Sequence, residues 1–186
     1  DINIIAGGYL KNHLHHDDCS EMKSIDIKST EFMKAALAPD LYSSCLQQYV
    51  SNSNMRVCVG APWGKLIRKQ FLVDNHICFP EGFVHHEDTI FCLRMYRSEN
   101  YVRFIDTPVY QYSDTENSVS VRFHPGKIQN MIAVSQIAAE LCGHHKELEV
   151  ALTGFVVART LDCFTGYVAH SDNRNGFRKS YDEIIQ

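Results

Sequence analysis

The chain opens on an apolar run, Ile2, Ile4, Ile5 and Ala6, that stops at Gly7-Gly8. This pattern predicts a buried strand over residues 1–10, central in a sheet and pairing on both sides. A polar, histidine-rich stretch from Lys11 to Asp18 reads as a loop. Phe32, Met33, Ala36 and Leu37 then recur at helical spacing behind Ser29 and Thr30, either of which could cap the helix. Pro39-Asp40 starts a second helix through Leu41, Cys45, Leu46 and Tyr49, which the Ser51-Asn52-Ser53-Asn54 cluster closes. A short helix is expected around Lys65 to Leu72, introduced by Pro62, followed by an extended loop from Asn75 to Gly82. Asp88 to Arg97 reads as a mostly buried helix. Tyr101 to Ile105 alternates as a strand, and Pro108 is expected at a turn into a second strand, Val109 to Tyr112.

Beyond Pro125 the period changes to a helical one. Segments near 126–143, 146–169 and 176–185 are separated by Gly143 and by Ser171-Asp172-Asn173. Ile128, Ile132, Ile137 and Leu141 form a stripe that could pack on the preceding part, dimerise or lie on a membrane surface. The pattern is therefore α/β in front and all-helical behind, divided near residue 122.

Composition narrows the reading. The chain has 186 residues, 45% of them hydrophobic and 11% aromatic, enough for a folded core. A net charge of −4 with no basic stripe argues against nucleic acid as a partner. The longest apolar stretch, Gly154 to Val168, is interrupted by Arg159 and Asp162 and falls short of the ~20 residues of a membrane helix. Seven cysteines without CxxC spacing, several inside apolar runs such as Ile90-Phe91-Cys92-Leu93, read as free thiols in a reducing compartment. That points to the cytoplasm. A strand already under way at Asp1, with no methionine before it, leads to the expectation of a piece of a longer protein.

Two clusters carry candidate chemistry. His13-Leu14-His15-His16-Asp17-Asp18 approaches the His-x-His-x-Asp-His pattern of metal-dependent hydrolases, with Asp18 where the last histidine belongs. A metallo-hydrolase built on His13, His15 and Asp17 is one alternative, set against a solvated loop. The second cluster is His85-His86-Glu87-Asp88, which lacks HExxH spacing. Acidic residues are favoured at a helix start by the dipole alone, but a carboxylate held there beside a cleft could also act as a general base.

The surroundings of that second cluster carry a family resemblance. Trp63-Gly64-Lys65-Leu66 leads to Phe79-Pro80-Glu81-Gly82, then to Glu87-Asp88, then to Pro108-Val109-Tyr110-Gln111-Tyr112 and Asn117-Ser118-Val119-Ser120. This order resembles the acceptor half of bacterial family-2 glycosyltransferases over about residues 1–120, most strongly over 63–120. Gly64 stands where asparagine is usual, and Thr115 stands about where many members carry a basic residue that helps hold the donor diphosphate.

The resemblance implies a partial GT-A fold over 1–122, a mixed sheet with flanking helices, followed by a C-terminal helical extension over 123–186. It implies transfer of a sugar, with inversion, from a nucleotide-sugar donor to a glycan or glycolipid acceptor. The setting would be bacterial surface polysaccharide or lipopolysaccharide synthesis, in the cytoplasm or at the inner face of the membrane. Asp88 would be the base and Glu87 an orienting group. Trp63, Lys65, His86 and Tyr112 would bind substrate. The nucleotide-binding half and its Asp-x-Asp motif are not recognisable here. A divalent metal, Mg or Mn, is expected only in the complete enzyme, and the chain alone is expected to be inactive. Homo-oligomer formation and a non-catalytic interaction module derived from a transferase complete the expectations.

Overall fold

The computed structural model describes residues 2–11, 23–113 and 122–185. Its centre is β1, Ile4–Lys11. Burial of Ile4, Ala6, Gly7, Gly8 and Leu10 departs from simple alternation, as befits a strand covered on both faces. One side of β1 pairs in parallel with β5, Tyr101–Tyr112. The other side pairs antiparallel with two short strands in succession, β4 (Lys65–Ile67) at Ile4–Ala6 and β3 (Met55–Val57) at Gly8–Leu10. The central, doubly paired position expected for this segment is what the fold contains.

β2, Ser24–Lys28, forms the far edge, antiparallel to β5. β2 is short and mostly exposed, so the apolar pattern gives little sign of it beyond Ile25 and Ile27 flanking Asp26. Arg103 clamps it by donating two hydrogen bonds, of 2.8 and 2.9 Å, to the Asp26 carboxylate. β3 was missed for the same reason, having three residues only.

The expected helix over Lys65–Leu72 is corrected to strand β4 and then helix α3, Lys69–Asp74. Pairing of Lys65, Leu66 and Ile67 with β1 overrides their good helix propensity. The expected turn at Pro108 is also corrected, since β5 runs through it. Its register against β1 slips between Gly7 and Gly8 and again between Gly8 and Tyr9. Pro108 sits at this irregularity, where the missing N–H does least harm to the ladder.

The helices flank this sheet. α1 (Ser29–Leu37) follows β2 without a break and buries Phe32, Met33, Ala35, Ala36 and Leu37. Neither Ser29 nor Thr30 caps it; both hydroxyls are buried without a partner, and the Ser29 N–H donates to the Asn100 carbonyl instead. The cap expectation fails because the chain enters α1 straight from a strand. α2 spans Pro39–Gln47 and α4 spans Glu87–Arg97, the latter burying Thr89 to Tyr96 except Arg94. The Tyr96 hydroxyl donates to the Val59 carbonyl at 2.7 Å, so this buried phenol leaves no polar group stranded.

Of the last helices, α5 is Lys127–Cys142, α6 is Lys146–Cys163 and α7 is Phe177–Ile185. A π-helical turn, Phe164–Val168, continues α6. The stripe expected on α5 divides. Val134, Ala138 and Cys142 join the main core with Leu148, Ala151 and Phe155 of α6, whereas Ile128 and Met131 form a second cluster with Cys163, Tyr167 and Val168. Ile132 remains exposed. No helix among the described residues is long and apolar enough to cross a membrane. The six described cysteines carry free thiols.

Candidate functional site at the start of helix α4

The chain reaches α4 through a left-handed residue, His86, with φ of +65°. The His86 carbonyl accepts the Ile90 N–H and opens the helix, and Glu87 and Asp88 fill its first turn. Carboxylates are stabilised there by the free amide groups and the dipole. Burial nevertheless lifts the Asp88 carboxyl above its ordinary range, the Glu87 charge adds to this, and the Lys65 ammonium partly opposes it. The balance makes Asp88 a stronger base than a solvated aspartate. Glu87 makes no hydrogen bond or ion pair among the described residues.

Lys65 comes from β4, and its ammonium donates to the carbonyls of Cys58 (2.9 Å) and Ala61. These bonds gather the 58–61 loop, and the Thr89 hydroxyl approaches the Gly60 carbonyl of that loop at 3.4 Å. Lys65 thus binds backbone and at the same time places a positive charge near Asp88.

Trp63 and Tyr112 meet in an aromatic cluster. The Trp63 indole stacks on Tyr110 with centroids 4.5 Å apart, lies edge-on to Tyr9 at 5.0 Å and is tilted against Tyr112 at 5.7 Å. Register explains the assembly. Tyr9 is paired with Tyr110 across β1 and β5, and Tyr112 lies two residues on, on the same face. Gly64 turns the chain out of this cluster with φ of +71°, and its carbonyl accepts the Gly7 N–H at 2.9 Å. A left-handed residue is needed here, and glycine adopts that conformation without steric cost. Beside Tyr9 a groove of about 730 Å³ opens between α2 and β3, with Asp40, Ser44, Gln47 and Arg56 in its walls.

His86 faces elsewhere. Its ring packs edge-on to Phe155 of α6, and Arg159 Nη1 lies 2.9 Å from Nε2 and 3.1 Å from Nδ1. Burial, then the charges of Arg159, His85 and Lys127, push the imidazole down to about 3. It is a neutral acceptor for Arg159. Arg159 also lies over the Phe155 ring and pairs with Asp162 at 3.0 Å. Sequence reasoning missed Tyr9 and Arg159. The available signals were a tyrosine just after the glycine pair and a charge inside an otherwise apolar helix.

His13, His15 and Asp17 lie outside the described residues, as do Thr115 and the Asn117–Ser120 motif. Among the described residues no three potential metal ligands come together. The described residues therefore form no divalent-metal site of their own.

No protein-family model matches the chain, and no curated protein matches it significantly. Among solved structures, S. aureus TarS 1–349 in complex with UDP-GlcNAc is similar, with a TM-score of 0.56 and 15% identity. The match covers 99% of this chain and 49% of that one, so the chain spans about half the length of TarS 1–349. At this identity the likeness is one of fold. The chain shares with TarS 1–349 a mixed sheet with flanking helices, followed by C-terminal helices.

Proposed function

We propose that this chain forms the acceptor side of an inverting glycosyltransferase of the family-2 type, with Asp88 as general base. The observation that carries the reading is the Asp88 carboxylate at the start of α4, partly desolvated and facing the charge of Lys65. Asp88 takes the proton from an acceptor hydroxyl as its oxygen attacks the anomeric carbon of a nucleotide-sugar. The bond from that carbon to the diphosphate breaks on the opposite face, and the diphosphate leaves with the electron pair. Glu87, which has no hydrogen-bond or ion-pair partner among the described residues, orients the acceptor. Trp63 and Tyr112, with Tyr9 and Tyr110, offer apolar ring faces suited to the C–H faces of sugars, and the groove beside Tyr9 provides room for a glycan or glycolipid. Lys65 holds the loop and tunes the base. His86 contributes through the backbone it starts and through Arg159.

In this reading residues 1–122 carry the acceptor side and 123–186 a helical extension. The complete enzyme uses Mg or Mn with its donor and serves surface polysaccharide synthesis at the cytoplasmic face of a membrane. A nucleotide-sugar as donor agrees with the UDP-GlcNAc held by TarS. The test is an assay of the protein in its full natural sequence with uridine, guanosine and thymidine diphosphate sugars and mixed glycan acceptors. Sugar transfer from one donor is the expected result. Neither transfer nor donor hydrolysis across the panel, from folded protein, would overturn the proposal.

A further inference from the structure

Of its nine residues α2 buries Leu46 alone. Asp40, Ser44 and Gln47 recur at helical spacing on a polar face. That face looks across at β3 without closing on it, and the gap between them is the groove of about 730 Å³ beside Tyr9. Small side chains at Ser43 and Ser44 keep the groove open. Gln47 pins helix to strand, its Nε2 donating to the Met55 carbonyl at 2.8 Å, so the two walls stand at a fixed spacing. Leu46, Val57 and Val59 supply the apolar part of the lining. Tyr9 and Arg56 are register partners across β1 and β3, so their side chains stand side by side on one face.

The side chains of Asp40, Ser43, Ser44 and Arg56 are exposed and make no hydrogen bond or ion pair among the described residues. The groove thus offers a tyrosine ring and apolar side chains together with open hydroxyl, carboxylate and guanidinium groups. Sugar rings carry the matching pattern, with apolar C–H faces and hydroxyls around the edge. An acyl chain would instead lay hydrocarbon against four polar groups. The volume is more than one sugar ring fills and lies within the ~300–1,000 Å³ of small-ligand sites. Position agrees with this lining. Tyr9 meets Trp63 edge-on at 5.0 Å. At Val59 the groove reaches the 58–61 loop that Lys65 gathers, and the Gly60 carbonyl of that loop lies 3.4 Å from the hydroxyl of Thr89, the residue after Asp88. We propose that the groove between α2 and β3 holds the sugar residues behind the one that presents its hydroxyl to Asp88, so that the substrate is an oligosaccharide and not a single sugar. That the bound glycan is an acceptor rests on the transferase reading.

Binding of the chain to an array of bacterial surface glycans, graded from monosaccharides to octasaccharides, tests the site. Affinity should rise over the first few residues of the glycan and then level off. Ser44→Trp fills the groove from an exposed position and should weaken binding of the longer glycans by about tenfold or more. Arg56→Ala and Asp40→Ala should each weaken it several-fold by removing a hydrogen-bonding group. Lys179→Met, on α7, should leave it unchanged. Melting temperatures separate loss of fold from loss of site, and if Ser44→Trp does not fold, the Arg56 and Asp40 variants carry the test. No binding of any glycan, equal affinity for monosaccharides and octasaccharides, or binding indifferent to these three changes overturns the groove. So does affinity that follows the alkyl tail of a glycoside and not its sugar chain. Sugar transfer is read separately. Glycan binding in the groove without transfer by the full natural sequence would remove the transferase reading and keep the site, whereas transfer unaffected by Ser44→Trp, without glycan binding, would do the reverse.

Discussion

Arg159 Nη1 stands 2.9 Å from Nε2 of His86, tying the middle of α6 to the residue that starts α4. His86 is left-handed, a conformation costing a non-glycine residue about 1–2 kcal/mol, so the surrounding contacts must hold it. Arg159→Met should lower stability by about 1–3 kcal/mol in urea denaturation, because it strands a buried imidazole acceptor. A shift below a few tenths of a kcal/mol would mean that Phe155 packing alone fixes the turn.

The same pair sets a pH dependence. The folded state holds His86 near 3, well below the ordinary 6.5 of the unfolded chain. Above 6.5 both states are neutral there, and His86 contributes no slope. Below 6.5 the unfolded chain takes up a proton that the folded one refuses. Stability should therefore fall with acidity by up to about 1.4 kcal/mol per pH unit between 6.5 and 3. His86→Gln should flatten this limb, as read from denaturation midpoints between pH 4 and 7. An unchanged slope would place the titrating group elsewhere.

Trp63 is the only tryptophan in the chain, which makes the aromatic cluster directly observable. A bound acceptor oligosaccharide should change its emission. Tyr110→Ala should shift the emission to the red by exposing the stacked indole face, and should weaken the acceptor response several-fold. Acceptor turnover without any change in Trp63 emission would mean that the cluster is packing alone.

Much of the fold was legible because its signals were local and long. The apolar opening gave β1, Pro39 marked α2, and the helical period behind Pro125 gave α5, α6 and α7. What escaped depended on tertiary partners. β3 and β4 are three residues each and exist only by pairing with β1, so helix propensity misplaced Lys65–Ile67. The cap expected at Ser29 is absent because the chain runs from β2 straight into α1, with the Ser29 N–H tied to the Asn100 carbonyl seventy-one residues away and its hydroxyl without a partner. At the candidate site, the order of motifs draws attention to the acidic pair and Trp63, whereas Tyr9 and Arg159 come from other elements and no spacing could link them to these.

Gly8 tests the sheet. A side chain there would run into Met55 of β3. Gly8→Val should destabilise the fold by about 1–3 kcal/mol, and Gly8→Val with Met55→Ala should recover part of that loss. Thermal unfolding of the single and double variants measures it, and simple additivity would count against the contact.

Lys65 tests the tuning of the base. Activity should disappear as pH falls through the raised range of Asp88, because the proton acceptor is then occupied. Lys65→Met removes the charge that holds this value down, so the acid limb of the pH–rate profile should move to higher pH. Movement to lower pH, or none, would separate Lys65 from the base.

The central claim is that the Asp88 carboxylate accepts the acceptor's proton, and turnover of Asp88→Asn measures it most directly. Asparagine is nearly isosteric and tolerated near a helix start, so the variant should melt near the wild-type temperature and still bind donor. Its turnover, measured in the full natural sequence with saturating donor and acceptor, should fall by about 10²-fold or more, and Glu87→Gln should fall less. A helix-end carboxylate with no chemical role would instead cost less than about 1 kcal/mol of stability and leave the rate intact. A well-folded Asp88→Asn protein turning over near the wild-type rate would contradict the account.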